Sequence, residues 1–162
     1  KRKSVILARS VKPWKEVAEA LTAARNAYAR CEGRPGAASD WDPYNTINRL
    51  QLDALLGTDT NYAELSDACE RAANARFERS FSFFDAVMPA DAKLAGWIHS
   101  GEKSVEELDR LYRDAIAGVS ATKRDVDSVK AHIRILSDLL NCRSKDGDKE
   151  RAKTLKSILK EP

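Results

Sequence analysis

The stretch of this sequence closest to a chemical motif is GWIHSGEKS, at residues 96–104. A phosphate-binding loop has two glycines separated by four residues, followed by a lysine that reaches the phosphates. Gly96 and Gly101 have that separation, but Glu102 stands where the lysine belongs and brings a carboxylate to the place of the phosphates. No strand pattern precedes the stretch, as the motif requires. The residues therefore predict the end of a helix, a turn, and a cap for the next helix at Ser104.

Metal-binding and nucleophilic residues are few and scattered. The sequence has two histidines, His99 and His132, and neither has another His or Cys three or four residues away, as a zinc site on one helix would have. No serine lies in a strand–turn–helix elbow, and no cysteine stands beside an activating base. The three cysteines, Cys31, Cys69 and Cys142, are predicted to be small buried residues of a protein in a reducing cytosol.

Paired acids are present, but helix electrostatics explains them. Glu106 and Glu107, like Asp125 and Asp127, fall in the first turns of predicted helices, where a negative charge is favourable against the helix dipole. Because no acid–base, nucleophile or metal constellation is recognisable, we expect no catalytic residues, no metal and no cofactor in this chain. Any catalysis would belong to a domain outside it.

Composition indicates a single helical domain. Hydrophobic residues make up 43% of the 162 residues, which is enough to bury a core. Ala, Leu, Glu, Lys and Arg dominate, and no alternating run of β-branched or aromatic residues is bounded by turn residues, so the predicted class is all-α. No basic-then-apolar leader and no apolar run of about 18 residues is present, so we expect a cytoplasmic protein without a membrane partner. Since residue 1 is Lys, we also expect a piece of a longer protein.

The formal charge of +3 is unevenly distributed along the chain. Residues 143–162 hold seven Lys or Arg against four Asp or Glu, whereas residues 1–142 hold 21 of each sign. We therefore predict a folded helical domain over residues 1–142 and a basic C-terminal linker with a short helix over residues 143–162. Because phosphate neutralisation needs cations clustered on the folded surface, the neutral body argues against a nucleic-acid partner.

Apolar spacing and capping residues predict a series of helices. The clearest begins at Pro43, with Asp42 as its N-cap and Gly57 beyond its last turn. A capping box at residues 61–64 opens a long helix that Pro89 should stop. The other predicted helices are residues 3–10, a helix that Pro13 opens and Gly33 ends, residues 91–100, a helix between Ser104 and Gly118, a helix capped by Ser120 or Thr122, and residues 149–160.

The long helix after residue 61 has two predicted inward faces. Small and apolar residues form the first face, at Leu65, Ala68, Ala72 and Ala75. Large residues form the second face, at Phe77, Phe81, Phe84 and Met88. We expect the three phenylalanines of this second face to pack in the core. Phe83 points elsewhere, either as an exposed contact or against the short helix that carries Trp97.

Three helices have apolar residues at successive spacings of three, four and three, and they resemble the second helix of tetratricopeptide repeats. The sets are Leu21/Ala24/Tyr28/Cys31, Leu65/Ala68/Ala72/Ala75 and Val126/Val129/Ile133/Leu136. Two further sets resemble the first helix of such a repeat, at Ile47/Leu50/Ala54 and Val105/Leu108/Tyr112. The chain is also similar to helical repeat regions of bacterial multidomain signalling and defence proteins and to the TRAFs-binding regions of kinases. The resemblance implies about three stacked antiparallel helical hairpins, which act as a non-catalytic scaffold for protein–protein contacts.

In a stack of this kind, the first helix of each hairpin lines a concave groove for a partner protein or peptide. The predicted partner-binding residues are Asn45, Asn48 and Arg49 on one hairpin and Glu106, Asp109 and Arg113 on another. Asparagine amides there would hydrogen-bond the backbone or a carboxylate of the bound peptide, and arginines would pair with its acids. A solvated polar helix face explains the same residues, so both interpretations stay open.

Two other functions are compatible with the sequence. The same helical periodicities allow a closed bundle that acts in oligomerisation, which makes self-association an alternative to a foreign partner. The basic segment at residues 143–162 allows a nucleic-acid-associated module, whose binding would collapse on addition of salt. A scaffold for another protein remains the preferred prediction.

Overall fold

The computed structural model describes residues 2–10, 12–33, 41–101, 104–143 and 145–160. Every secondary-structure element in those ranges is an α-helix, which confirms the all-α class. The helices are α1 (Arg2–Arg9), α2 (Trp14–Cys31), α3 (Pro43–Leu56), α4 (Tyr62–Ser80), α5 (Phe83–Ser100), α6 (Val105–Ala117), α7 (Lys123–Arg143) and α8 (Asp148–Leu155). Within these ranges, no helix is long and apolar enough to cross a membrane.

Helix α3 begins and ends where its capping residues predict. The Asp42 carboxylate accepts a hydrogen bond from the backbone N–H of Tyr44 at 3.1 Å, and Pro43 occupies the first turn, where it sacrifices no hydrogen bond. Gly57 ends the helix with φ of 73°, a left-handed conformation that glycine adopts without steric cost.

Two other N-caps are confirmed. The Asn61 side-chain oxygen accepts from the backbone N–H of Glu64 at 3.3 Å, and its amide nitrogen donates to the Glu64 carboxylate at 2.7 Å. Of the two candidates for α7, the cap is Thr122, whose hydroxyl bonds reciprocally with Asp125. These local side-chain contacts satisfy backbone donors that the first turn of a helix leaves open.

The long helix predicted to end at Pro89 is instead two helices. Helix α4 ends at Ser80 and is followed by its C-cap Phe81, whose backbone is left-handed with φ of 49°. Helix α5 begins at Phe83 and contains Pro89 in its interior. Proline there removes one helical hydrogen bond. Helix α5 packs against α3, α4 and α6, and the apolar area buried in those contacts offsets the loss.

This break changes which phenylalanines are buried. Phe81 and Phe84 were expected in the core, yet 74% and 55% of their surface is exposed. Phe83 packs against the core. The prediction was wrong because it carried a single helical phase through residues 81 and 82, where the chain reverses.

The buried face of α4 is also shifted by one residue from its prediction. Its buried positions are Tyr62, Ser66, Cys69 and Ala73. Of the predicted residues, Leu65, Ala68 and Ala72 are half-buried and Ala75 is exposed. The helix has small residues at helical spacing on two adjacent faces, so the spacing of alanine and leucine did not decide which face is buried. The buried face is the one that carries a serine and a cysteine.

Helix α3 lies at the centre of the fold. It packs against α2, α4, α5 and α7, and every residue from Thr46 to Leu55 is buried. Burial therefore includes polar side chains as well as the predicted apolar set of Ile47, Leu50 and Ala54.

The two ends of the described chain meet. Helix α1 packs against both α2 and α7, and the Arg9 guanidinium bonds the Asp138 carboxylate of α7 at 3.0 Å. Helix α8 packs on α7, with Ala152 and Leu155 buried, and Leu159 beyond the helix is buried as well. The short helix predicted in the basic C-terminal segment is present as α8, and apolar side chains of residues 148–159 are buried.

Candidate functional site

The side chains of the predicted site residues on α3 bond to other residues of this chain. The Asn45 amide donates to the Cys31 carbonyl at 3.0 Å and to the Asp42 carboxylate at 3.2 Å, which ties the start of α3 to the end of α2. Asn48 is only 5% exposed, and its amide donates to the Tyr44 carbonyl at 2.9 Å. These asparagines therefore make contacts within the fold.

Arg49 was expected at the edge of a groove, but it belongs to a buried ion-pair network. Its guanidinium donates to Glu32 at 2.6 Å and to Asp53 at 2.7 Å, and Arg25 bonds the other oxygen of Asp53 at 2.8 Å. Burial by itself lowers the pKa of Arg49, but the hydrogen bonds and charges of Glu32 and Asp53 outweigh it and raise that pKa. The central position of α3 leaves Arg49 little contact with solvent.

The predicted site residues on α6 come together, but they contact this chain's own C-terminal segment. Asp109 and Arg113 bond each other at 2.7 Å. The Asp109 carboxylate accepts from the backbone N–H of Leu159 at 2.7 Å, and Arg113 donates to the Lys160 carbonyl at 2.7 Å. Glu106 lines the same 300 Å³ pocket. Asp109 and Arg113 thus anchor the segment after α8.

A concavity that sequence reasoning missed lies among α2, α3, α5 and α7, and we call it the aromatic groove. Its volume is about 190 Å³. The side chains that give it its chemistry are Tyr28, Tyr44, Asn48, Gln51, Phe84 and His132. Of the six predicted site residues, Asn48 is the one that lines this groove.

Aromatic rings form the rim of the groove. Tyr44 is 53% exposed and Phe84 is 55% exposed, and they come from α3 and α5. The Tyr28 ring meets the Tyr44 ring edge to face, with centroids 6.5 Å apart. Burial raises the pKa of Tyr28, and the neighbouring Tyr44 raises it by a smaller amount. The Tyr28 hydroxyl is therefore protonated at neutral pH and able to donate a hydrogen bond.

A hydrogen-bonded polar chain holds the inner wall of the groove. The Gln51 amide nitrogen donates to the Asp91 carbonyl at 3.2 Å, and its oxygen lies 2.9 Å from His132 Nε2. Because an amide oxygen can only accept, Nε2 carries the proton of that contact. The fully buried Tyr112 donates to the Asp91 carboxylate at 2.5 Å, and burial raises its pKa well above the ordinary value.

This arrangement suits recognition of an apolar group. The polar side chains of the inner wall bond one another, so they fix its shape, while the exposed ring faces offer contact area. A cavity of 190 Å³ is smaller than pockets for whole small molecules, which span about 300–1,000 Å³, and has room for one large side chain.

The sequence signal for this groove was weak but present. Tyr44 lies off the apolar stripe of its helix, and Phe84 leaves the core face once the break at Phe81 is placed. An aromatic residue off the buried stripe is a candidate contact. The lining residues come from four helices that are distant in sequence and meet only in the folded protein. No local sequence pattern could therefore predict that these residues lie together.

The stretch at residues 96–104 has structural roles where it is described. Gly101 ends α5 with φ of 71°, and the Ser104 hydroxyl accepts from the backbone N–H of Glu106, so the predicted helix end and cap are confirmed. Ser104 also bonds the Glu106 carboxylate. Glu102 lies outside the described residues. Upstream, the His99 ring stacks on Tyr62 with centroids 4.1 Å apart.

The cysteines differ in exposure. Cys69 is buried as predicted, and burial raises the pKa of its thiol to about 12, so the thiol stays protonated. Cys142 is half-buried, whereas Cys31 is exposed, contrary to its prediction. In the part of the chain that the structure describes, no group of three or more His, Cys, Asp or Glu side chains is placed to hold a metal ion.

Comparisons with family models, with curated proteins and with solved structures find no match to this chain.

Proposed function

We propose that this chain is a non-catalytic protein-interaction domain whose aromatic groove holds a large apolar side chain from a peptide segment of another protein. The observation that carries the proposal is the pair of half-exposed rings, Tyr44 and Phe84, on the rim of one concavity. Binding energy at protein interfaces concentrates in a few aromatic or charged contacts around such pockets.

The inner wall of the groove supports this assignment. Gln51 and His132 bond each other, and Gln51 also bonds the backbone of α5, so little reorganisation accompanies binding. Asn48 bonds the carbonyl of Tyr44, the residue that carries one of the rim rings. The peptide backbone would cross the rim while its apolar side chain fills the cavity.

The wider context is part of the same proposal. Stacked antiparallel hairpins of the tetratricopeptide-like kind are supported by α4 and α5, which fold back on each other across a two-residue connection, and by the packing of α2 on α3. Such a scaffold would serve as the partner-binding segment of a larger cytoplasmic signalling protein. The proposed domain uses no cofactor, because recognition of a partner by shape requires none.

One observation favours the alternative of a closed bundle. Helix α1 contacts α7, and α3 is enclosed by four helices, whereas an open repeat array places each repeat against its neighbours alone. A closed bundle would still present the aromatic groove, and its occupant would then be a second copy of this chain.

The test is a selection followed by an affinity comparison. Random peptides displayed on phage are selected on the wild-type protein, and an enriched peptide is labelled and titrated against Tyr44→Ala, Phe84→Ala and the matched control Phe81→Ala. Phe81 is an exposed phenylalanine that does not line the groove. We expect Kd to rise about tenfold or more for the two groove variants and to stay unchanged for the control.

Two outcomes would contradict the proposal. Peptides that bind all variants equally would place recognition elsewhere on the surface. A wild-type dimer in light scattering that becomes a monomer in Phe84→Ala would identify a second copy as the occupant, and would favour the oligomerisation alternative over a foreign peptide.

A further inference from the structure

A second concavity, which we call the basic groove, lies between α1, α7 and the C-terminal segment. Its volume is about 630 Å³, and it shares no residue with the aromatic groove. Its charged side chains are Arg9, Lys130, Arg134, Lys156, Lys160 and one acid, Asp138. Three separate elements of the chain thus bring cations to one site.

The cationic excess of the protein is concentrated at this groove. Five cations face a single carboxylate there, whereas the whole chain has a formal charge of only +3. The rest of the sequence is therefore slightly negative in total. A concave site lined by one sign of charge focuses its field and raises the local concentration of ligands of the opposite sign.

The one acid in the groove is already neutralised. The Asp138 carboxylate bonds Arg9 at 3.0 Å and lies 3.6 Å from the Lys156 ammonium. Arg134 and Lys160 are exposed, and neither forms an ion pair within the described ranges of the chain. Lys130 and Arg134 are four apart on α7, a spacing at which like charges repel.

The uncharged lining selects among anions. It consists of the aliphatic residues Ile133, Leu155, Ile158 and Leu159, which belong to the core and are at most 6% exposed, with no aromatic ring among the described lining residues. Nucleic-acid bases would lack rings to stack on. A flat membrane surface fits a concave groove poorly, and inorganic phosphate gains nothing from an aliphatic floor. A peptide that carries both carboxylates and aliphatic side chains matches both features.

We propose that the basic groove binds an acidic peptide segment of a partner protein, in which Asp or Glu side chains are interspersed with Leu, Ile or Val. The carboxylates pair with the exposed side chains of Arg134 and Lys160, and the aliphatic side chains lie over the floor. This site is independent of the aromatic groove, so either binding activity can exist without the other.

The probe is a fluorescein-labelled synthetic peptide in which Glu pairs alternate with Leu pairs, with a Gln-for-Glu version as its uncharged control. The groove variant is Arg134→Glu with Lys160→Glu. The matched variant is Lys15→Glu with Lys149→Glu, which makes the same change in net charge at exposed lysines outside the groove. Binding is measured by fluorescence anisotropy, and thermal unfolding checks that both variants remain folded.

We expect the acidic peptide to bind the wild type and the matched variant with similar Kd, and the groove variant at least about tenfold more weakly. The Gln version of the peptide should bind the wild type and both variants more weakly than the acidic peptide binds the wild type. Equal binding to the two variants, or no binding to the wild type, would overturn the proposal. A single-stranded oligonucleotide or phosphatidylserine vesicles that bind more tightly than the peptide, and lose binding in the groove variant, would overturn it in favour of those ligands.

Discussion

Two Arg–Asp pairs in this protein share their spacing and their length but differ in their surroundings. Arg49 and Asp53 on α3, like Arg113 and Asp109 on α6, are four residues apart and bond at 2.7 Å. The Asp53 side chain is fully buried and that of Arg49 is 11% exposed, whereas those of Arg113 and Asp109 are 47% and 29% exposed. Helical spacing creates the pair, and the tertiary neighbours decide what the pair does.

This difference in surroundings explains why similar polar residues on α3 and α6 have different contacts in the structure. The polar residues of α3 and α6 were assigned to the same kind of groove because they hold comparable helical positions. Helix α3 is enclosed by four other helices, so its polar side chains form internal networks. Helix α6 lies at the periphery, and its Asp–Arg pair anchors the segment after α8.

The largest effect is expected at the buried pair. Replacing Arg49 by Met removes the cation from between Glu32 and Asp53 and leaves buried carboxylates poorly compensated. We expect the free energy of unfolding to fall by about 3 kcal/mol, measured by urea denaturation at neutral pH. A loss below about 1 kcal/mol would mean that water reaches this network and that α3 is less enclosed than the structure indicates.

A second buried carboxylate extends the comparison to the C-terminal segment. Asp148 is fully buried and bonds Arg143 at 2.6 Å and Arg151 at 3.1 Å. Burial by itself raises the pKa of Asp148, but hydrogen bonds from Arg143 and from the backbone N–H of Lys145, together with the charges of Arg143 and Arg151, outweigh it, so the pKa lies below its ordinary value.

Stability that depends on the charged form of Asp148 is present at neutral pH. It is lost as pH falls through the unfolded-state pKa of about 3.9 toward the lower folded-state value. Asp148→Asn should unfold about 2 kcal/mol more easily at pH 7 and show a flatter loss of stability below about pH 4. Urea denaturation across a pH series tests this, and identical acid profiles for the two proteins would refute it.

A smaller effect is expected from the asparagine beside Arg49. Asn48→Ala removes a side-chain bond to the Tyr44 carbonyl, but the backbone helix remains, so we expect a stability loss of about 1 kcal/mol. Binding of a groove-selected peptide should weaken severalfold, because Asn48 lines the aromatic groove. Unchanged affinity together with the stability loss would assign Asn48 a purely structural role.

The smallest effect is expected at the exposed pair, which serves as the control for Arg49. Arg113→Met should lower the free energy of unfolding by about 0.5 kcal/mol, since exposed ion pairs contribute little. Added salt should shrink this difference further through screening. A cost equal to that of Arg49→Met would erase the distinction between the centre and the periphery.

The parts of the fold that were predictable depend on local chemistry. The caps at Asp42, Asn61 and Thr122 and the stop at Gly57 each involve residues within four positions of one another, so the sequence contains all the participants. The break at Phe81 was not predictable in this way, because a left-handed phenylalanine ends α4 without the glycine that usually marks such a site.

The site was less predictable than the fold. Asn48 was identified as a binding candidate, but its neighbours Tyr28, Phe84 and His132 come from three other helices, and no local rule groups them. The central position of α3 also had no local signal in the sequence. An Arg–Asp pair four residues apart, such as Arg49 and Asp53, has the same spacing on a surface helix as on an enclosed one.

The most direct test of the aromatic groove is to observe the ligand in it. Intermolecular nuclear Overhauser effects would be recorded between an isotope-labelled protein and an unlabelled groove-selected peptide. We expect cross-peaks that join one apolar peptide side chain to the rings of Tyr44 and Phe84. Cross-peaks to a different surface, with none to these two rings, would contradict the assignment of this groove as the binding site.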